Sequence, residues 1–317
     1  MRKQKTIILA YLITSALVIF SSFWYYKNYY IGMYNYNKIN KNCFIEKKLD
    51  LEICKNFINE DRELDSKLVN RYKKESNPIK TLQKTDVITA SSTIIEISSF
   101  RYMQFLSPLI IIVVTVLTFH SEISSGFFEN ILMREEYKKY LKTKLKDIIS
   151  IALLMPYSIL LVFIVACFIT NFNFDASSVY KYSAVYDYWK YNNFFFYEII
   201  IMSIQFFISL AYINISFESI LKNKNKLISI VVGYIGFIIL DIIIYVVIYA
   251  IIINKILGYK ELSDIFNIAG YWFFDNGPKW ILALPISAVV ALFSAIYLFS
   301  KYKNKEGIIS LYETKHI

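Results

Sequence analysis

Residues 227–253 read LISIVVGYIGFIILDIIIYVVIYAIII, 27 positions holding one charge, Asp241. As a helix this run extends about 40 Å at 1.5 Å per residue, more than the roughly 30 Å of a hydrocarbon core, so it crosses with a tilt. Its apolar residues are continuous rather than alternating, which excludes a barrel strand and leaves a helix as the structure that satisfies its own backbone in lipid.

Working outward, the rest of the 317 residues repeats the theme. The chain is 56% hydrophobic and 18% aromatic, above the 45–50% apolar share of soluble domains. Its mean hydropathy is +0.42. Apolar runs predict an all-α polytopic membrane protein with six transmembrane helices: 1–26 (tail and first span), 104–120, 148–172, 194–217, 227–254 and 281–299. Pro156 predicts a kink in the third span. The polar stretch 27–103 predicts an extracellular, mainly helical domain between the first and second spans, with Leu64, Leu68 and Tyr72 at helical spacing. Shorter connections follow at 121–147, 173–193, 218–226, a 255–280 segment that is external or re-entrant, and a tail at 300–317.

The amino terminus has the basic head and apolar stretch of a signal peptide, but the stretch ends in Trp24, Tyr25 and Tyr26 without a small-residue cleavage site. It reads as an uncleaved span. Arg2, Lys3 and Lys5, the lysines of 134–146, Lys222, Lys224, Lys226, and Lys301, Lys303, Lys305 fall on one side of the six-span layout. By the positive-inside rule both termini are cytoplasmic. Composition rich in Ile, Lys, Asn, Tyr and Phe suggests an AT-rich bacterial genome, hence a bacterial cell membrane. The net charge of +10 is spread over these loops. With no compact basic domain, nucleic acid is excluded as a partner, and the bilayer accounts for the lysines.

Catalytic chemistry is sparse. His120 and His316 are the chain's two histidines, and no zinc spacing, nucleophile elbow or phosphate-binding Gly-Lys-Ser/Thr loop occurs. The expectation is therefore no enzyme, no catalytic residue, no metal and no cofactor in this chain. Cys43 and Cys54 fall in the external domain, where they are a disulfide pair or two free thiols. A charge within a span is costly unless paired or wet, so Asp241 faces the bundle interior, a partner or a cavity. Glu198 and Gln205 are its candidate neighbours on a substrate path, a purely structural polar contact being the alternative.

Between the second and third spans lies SEISSGFFENILMREEYKKYLKTK (residues 121–144). Phe127, Phe128, Ile131 and Leu132 form a short apolar face, and Glu135 and Glu136 precede Lys138, Lys139, Lys142 and Lys144 as the helix dipole favours. Glu122, Gly126, Leu132, Lys138, Tyr140, Leu141 and Lys144 match, in order and spacing, a motif that resembles the permease subunits of ABC-2 type transporters. Glu135 stands where that family often has proline, Tyr137 where a small hydroxyl residue is usual, and Lys138 replaces an arginine. The resemblance implies an exporter subunit that moves an amphipathic peptide, lipid or toxic compound. It implies a separate ABC ATP-binding subunit holding ATP and Mg, and a second permease subunit in a homo- or heterodimer. It also implies that the elbow couples to the ATPase through Glu122, Gly126, Phe127, Leu132, Arg134, Lys138, Tyr140, Leu141 and Lys144. Competing readings are a mechanotransmission subunit, a stand-alone immunity or interaction protein, and a membrane enzyme. An elbow resting on lipid headgroups is the alternative for the 121–144 stretch.

Overall fold

The computed structural model describes residues 2–27, 86–96, 98–124, 137–174, 193–259 and 280–302. Among them every regular element is a helix. In chain order these are α1 (Arg2–Tyr25), α2 (Val87–Glu96), α3 (Ser98–Ser124), α4 (Tyr137–Ala152), α5 (Leu154–Ile169), α6 (Phe194–Lys222) and α7 (Lys226–Ile242). A π-helical stretch, Ile243–Ile256, continues α7, and α8 covers Trp280–Tyr302.

Four helices are long and apolar enough to cross a membrane: α1, α3, α6 and the α7–π pair. A fifth is added if α4 and α5, bent by 45° at Leu153, are one crossing. The chain is thus built as a multi-span helical membrane protein. The expected last span falls on α8, Trp280–Tyr302.

The chain forms two compact units. The first holds 1–17, 101–160 and 195–317. Its core contains Ile112 and Phe119 of α3, Ile151 of α4, Leu154 and Met155 of α5, and Ile204, Ile208 and Tyr212 of α6, all fully buried. The α6–α7 contact depends on small residues. Ser219 Oγ donates to the Ser229 carbonyl at 2.6 Å, and the Tyr212 and Phe237 rings meet edge-on at 4.8 Å. A Cβ on Gly233 would lie 3.1 Å from Ile112 Cγ2. Helices without water between them associate by such close packing and by interhelical hydrogen bonds. Asn225 starts α7 by accepting from the Leu227 amide at 2.8 Å. Along α7, Val231, Ile235, Ile238 and Ile242 are exposed, a face suited to acyl chains rather than water.

The second unit holds 18–100 and 161–194. Its α2 lies within 27–103, which the sequence predicts as a polar external domain. Val87, Ala90 and Ile94 are nonetheless wholly buried, as is Asp86. Asp86 caps the helix, its Oδ1 accepting from the Thr89 amide at 2.8 Å and its Oδ2 from the Thr89 hydroxyl at 3.0 Å. The Val87 amide donates to the Asn173 carbonyl at 2.8 Å. The rest of the expected external domain, with Cys43 and Cys54, lies outside the described residues.

The α4–α5 break follows from Pro156. Proline has no amide hydrogen, and its ring presses on the carbonyl four residues earlier, that of Ala152. The helix accordingly parts between Ala152 and Leu154, three residues before the proline that predicted the kink. At its other end α5 closes with Asn171 and Phe172 at φ of 52° and 56°. The Phe172 amide donates back to the Cys167 carbonyl at 2.8 Å, the six-to-one bond of a left-handed helix stop. Phe172 stacks edge-on against Phe168 at 5.5 Å.

Gly233→Leu forces a branched side chain into the α3–α6–α7 contact. Overpacking of this kind costs about 1–3 kcal/mol. The variant should unfold at a lower temperature than wild type in the same detergent, whereas Ile235→Leu on the exposed face of α7 should not.

Candidate functional site

The elbow motif enters the described residues at its two ends. Glu122, on the last turn of α3, and Lys144, on α4, are 5% and 8% exposed. Lys144 Nζ donates to Glu122 Oε2 at 2.5 Å. The ammonium also lies 5.5 Å from the centre of the Phe119 ring, a distance at which the ring face attracts a cation. Phe119 in turn packs on Phe217 of α6, their centres 4.7 Å apart. The two charges satisfy each other inside the protein and tie the last turn of α3 to the middle of α4.

A buried pair gains little over an apolar substitute, but losing one member strands a charge. Glu122 and Lys144 are thus positioning residues that set the base of the elbow. Lys138, Tyr140 and Leu141 lie on α4. Gly126, Phe127, Leu132 and Arg134 lie outside the described residues. His120, next to Phe119 in the chain, is buried.

The second candidate cluster lies along α6. Glu198 and Gln205 share one face, seven residues apart, and both are buried. Ser209, a turn further on, is fully buried. Gln205 Oε1 and Ser209 Oγ have no hydrogen-bond partner among the described residues. Such orphaned acceptors are uncommon and costly in a protein interior. Asp241, on α7, is half-buried. Helix α7 runs antiparallel to α6, Ser229 meeting Ser219 and Phe237 meeting Tyr212. One more turn of that register sets Asp241 at the level of Ser209.

A third feature is an apolar groove of about 580 Å³. Tyr11 of α1, Pro156 and Tyr157 of α5, and Met202, Ser203 and Phe206 of α6 line it. The Tyr11 hydroxyl donates to the Ser150 carbonyl at 2.7 Å, Tyr157 and Ser15 share a hydrogen bond of 2.9 Å, and Ser203 Oγ donates to the Ile199 carbonyl at 2.7 Å. The Tyr11 and Tyr157 rings meet edge-on, 4.9 Å apart. Sequence reasoning missed this groove, because apolar residues within a span do not reveal which of them line a concavity. It also missed the roles of Phe119 and Phe217.

Among the described residues, no three His, Cys, Asp or Glu side chains gather as a metal site requires. No family model matches the chain, nor does any curated protein or solved structure.

The buried pair makes a definite demand on stability. Glu122→Ala or Lys144→Ala should each cost about 3–5 kcal/mol by leaving a lone buried charge. The double variant Glu122→Met/Lys144→Met should recover most of that loss. Thermal unfolding of the four proteins checks this, and additive losses would show that the residues do not act as a pair.

Proposed function

We propose that this chain is the membrane-embedded permease subunit of an ATP-driven ABC exporter. It works with a separate ATP-binding subunit and a second permease subunit, and its substrate is amphipathic. In this reading the chain crosses a bacterial cell membrane six times with both termini cytoplasmic, and α8 supplies the sixth crossing. Residues 27–103 stand outside.

The observation that carries the proposal is the Glu122–Lys144 pair at the base of the elbow. Clamped there, α3 and α4 receive a push on residues 123–143 together, and the Phe119–Phe217 contact passes it to α6. A loop lying passively on lipid has no need of a desolvated ion pair at its root, whereas a lever does. The acidic Glu129 also argues against an anionic lipid surface as the elbow's resting place. The ATPase supplies ATP and Mg chemistry, and this chain supplies the docking face, with Phe127, Leu132, Arg134 and Lys138 as its contacts. The orphaned acceptors on α6, level with Asp241, support a polar path through the spans, where ionisable residues commonly mark routes for substrates.

Affinity capture of the full chain from its native membrane should bring down a Walker-motif ATPase. Arg134→Glu combined with Lys138→Glu should lower that capture by about tenfold through the loss of charge complementarity. Lys222→Glu, on a different loop, should leave it unchanged. Wild-type chain captured repeatedly without any ATPase would refute the proposal. In liposomes containing the complex, Asp241→Asn should reduce substrate flux, and unaltered flux would remove Asp241 from the path.

A further inference from the structure

The apolar groove has a chemistry that narrows its occupant. Its volume of about 580 Å³ is within the range of small-molecule sites. Its polar groups are already consumed: Tyr11 by the Ser150 carbonyl, Tyr157 by Ser15 and Ser203 by its own helix. No hydroxyl hydrogen in the wall is left to donate to a ligand. An aliphatic chain needs no such partner.

Its position along the helices is equally definite. Tyr11 pairs with Ser150 and Ser15 with Tyr157, so α1 runs parallel to the α4–α5 pair. Lys5 and Lys146 therefore lie within about 3 Å of one level, and both are exposed. Lys146 and Ser150 share a face of α4, four residues apart. The wall from Leu153 to Leu160 lies about 10 to 21 Å beyond Lys146 at 1.5 Å per residue. That interval matches the acyl region of one leaflet of a core about 30 Å thick. At its mouth, Lys144 is engaged by Glu122 and Asp147 is the acid adjoining Lys146 in sequence. Lys5 and Lys146 remain as outward cations at headgroup depth, where they attract anionic lipid.

We infer that this groove is a binding site for one anionic phospholipid of the leaflet facing the amino terminus, its acyl chain along Pro156, Tyr157 and Phe206 and its headgroup at Lys5 and Lys146. The site is a property of this chain alone. It does not depend on an ATPase partner, so it stands or falls separately from the exporter reading.

The test uses the full-length chain in nanodiscs of equal phosphatidylglycerol and phosphatidylcholine, with retained lipid counted by native mass spectrometry. Wild type should keep one phosphatidylglycerol per chain in preference to phosphatidylcholine. Ser203→Trp fills the groove and should cut that occupancy by about tenfold, since each methylene denied burial is worth about fourfold in affinity. Lys146→Glu should abolish the preference for phosphatidylglycerol without abolishing lipid retention. Ile235→Trp, on exposed α7, should behave as wild type. Equal retention of the two lipids by wild type would overturn the inference, as would a Ser203→Trp variant of native helix content that binds like wild type. Should Ser203→Trp fail to fold, Lys146→Glu decides alone, and an unchanged headgroup preference there rejects the site.

Discussion

The constraint on which everything else rests is that hydrocarbon offers a backbone no hydrogen-bond partner. Each amide and carbonyl in a span must be satisfied by the chain itself, and a helix does this segment by segment. The same requirement disciplines side chains. Thr115 donates to the Ile111 carbonyl at 2.7 Å, Thr118 to Val114 at 2.6 Å, Ser216 to Tyr212 at 2.7 Å and Thr170 to Ala166 at 2.8 Å. By bonding back onto their own helix, these hydroxyls become small, neutral packing surfaces. That is how the helices bury these residues. Where two helices need adhesion, a hydroxyl is turned outward instead. Ser219 reaches the Ser229 carbonyl, and Asn214 donates to Ser294 at 2.9 Å, linking α6 to α8.

How much of this could be read from the sequence depends on which force sets each feature. Hydrophobicity over about 20 residues sets the spans, and those were legible: α1, α3, α6 and the α7–π pair lie where apolar runs predict them. Features set by packing were not. Helix α2 is short, and its Thr and Ser residues resemble loop composition, yet its Val, Ala and Ile positions close on a buried face. The visible trace was Asp86 with Thr89 three residues on, an N-cap pattern. Similarly, α3 begins at Ser98, six residues before the expected 104, because Phe100 and Met103 are buried. Packing extends the helix past the end of its hydrophobic run.

At the elbow, the sequence carried no sign that Glu122 and Lys144 meet. Glu122 and Lys144 stood out as motif positions 22 residues apart, and opposite charges at that separation carry no signal of contact. The contact arises because the last turn of α3 lies against the middle of α4, and low dielectric then makes separation of the charges expensive. The pair is a clamp first. Any part it has in coupling comes from the rigidity it gives the helices on either side, with Phe119 shielding the ammonium and extending the rigid cluster to Phe217.

The same logic redirects attention within the spans. Asp241 is the conspicuous residue in the sequence because it interrupts 27 apolar positions, but it sits half-buried on a helix whose remaining surface is largely exposed. The stronger physical anomaly is on α6. Gln205 and Ser209 are enclosed, one turn apart, and unlike Thr115 or Ser216 they do not bond back to the helix. A closed apolar core would be more stable with aliphatic side chains at both positions. Polar atoms retained there at a cost are best explained by something that visits them, water or a polar part of a cargo. These enclosed acceptors lie on α6, with Asp241 on the neighbouring helix at the same level.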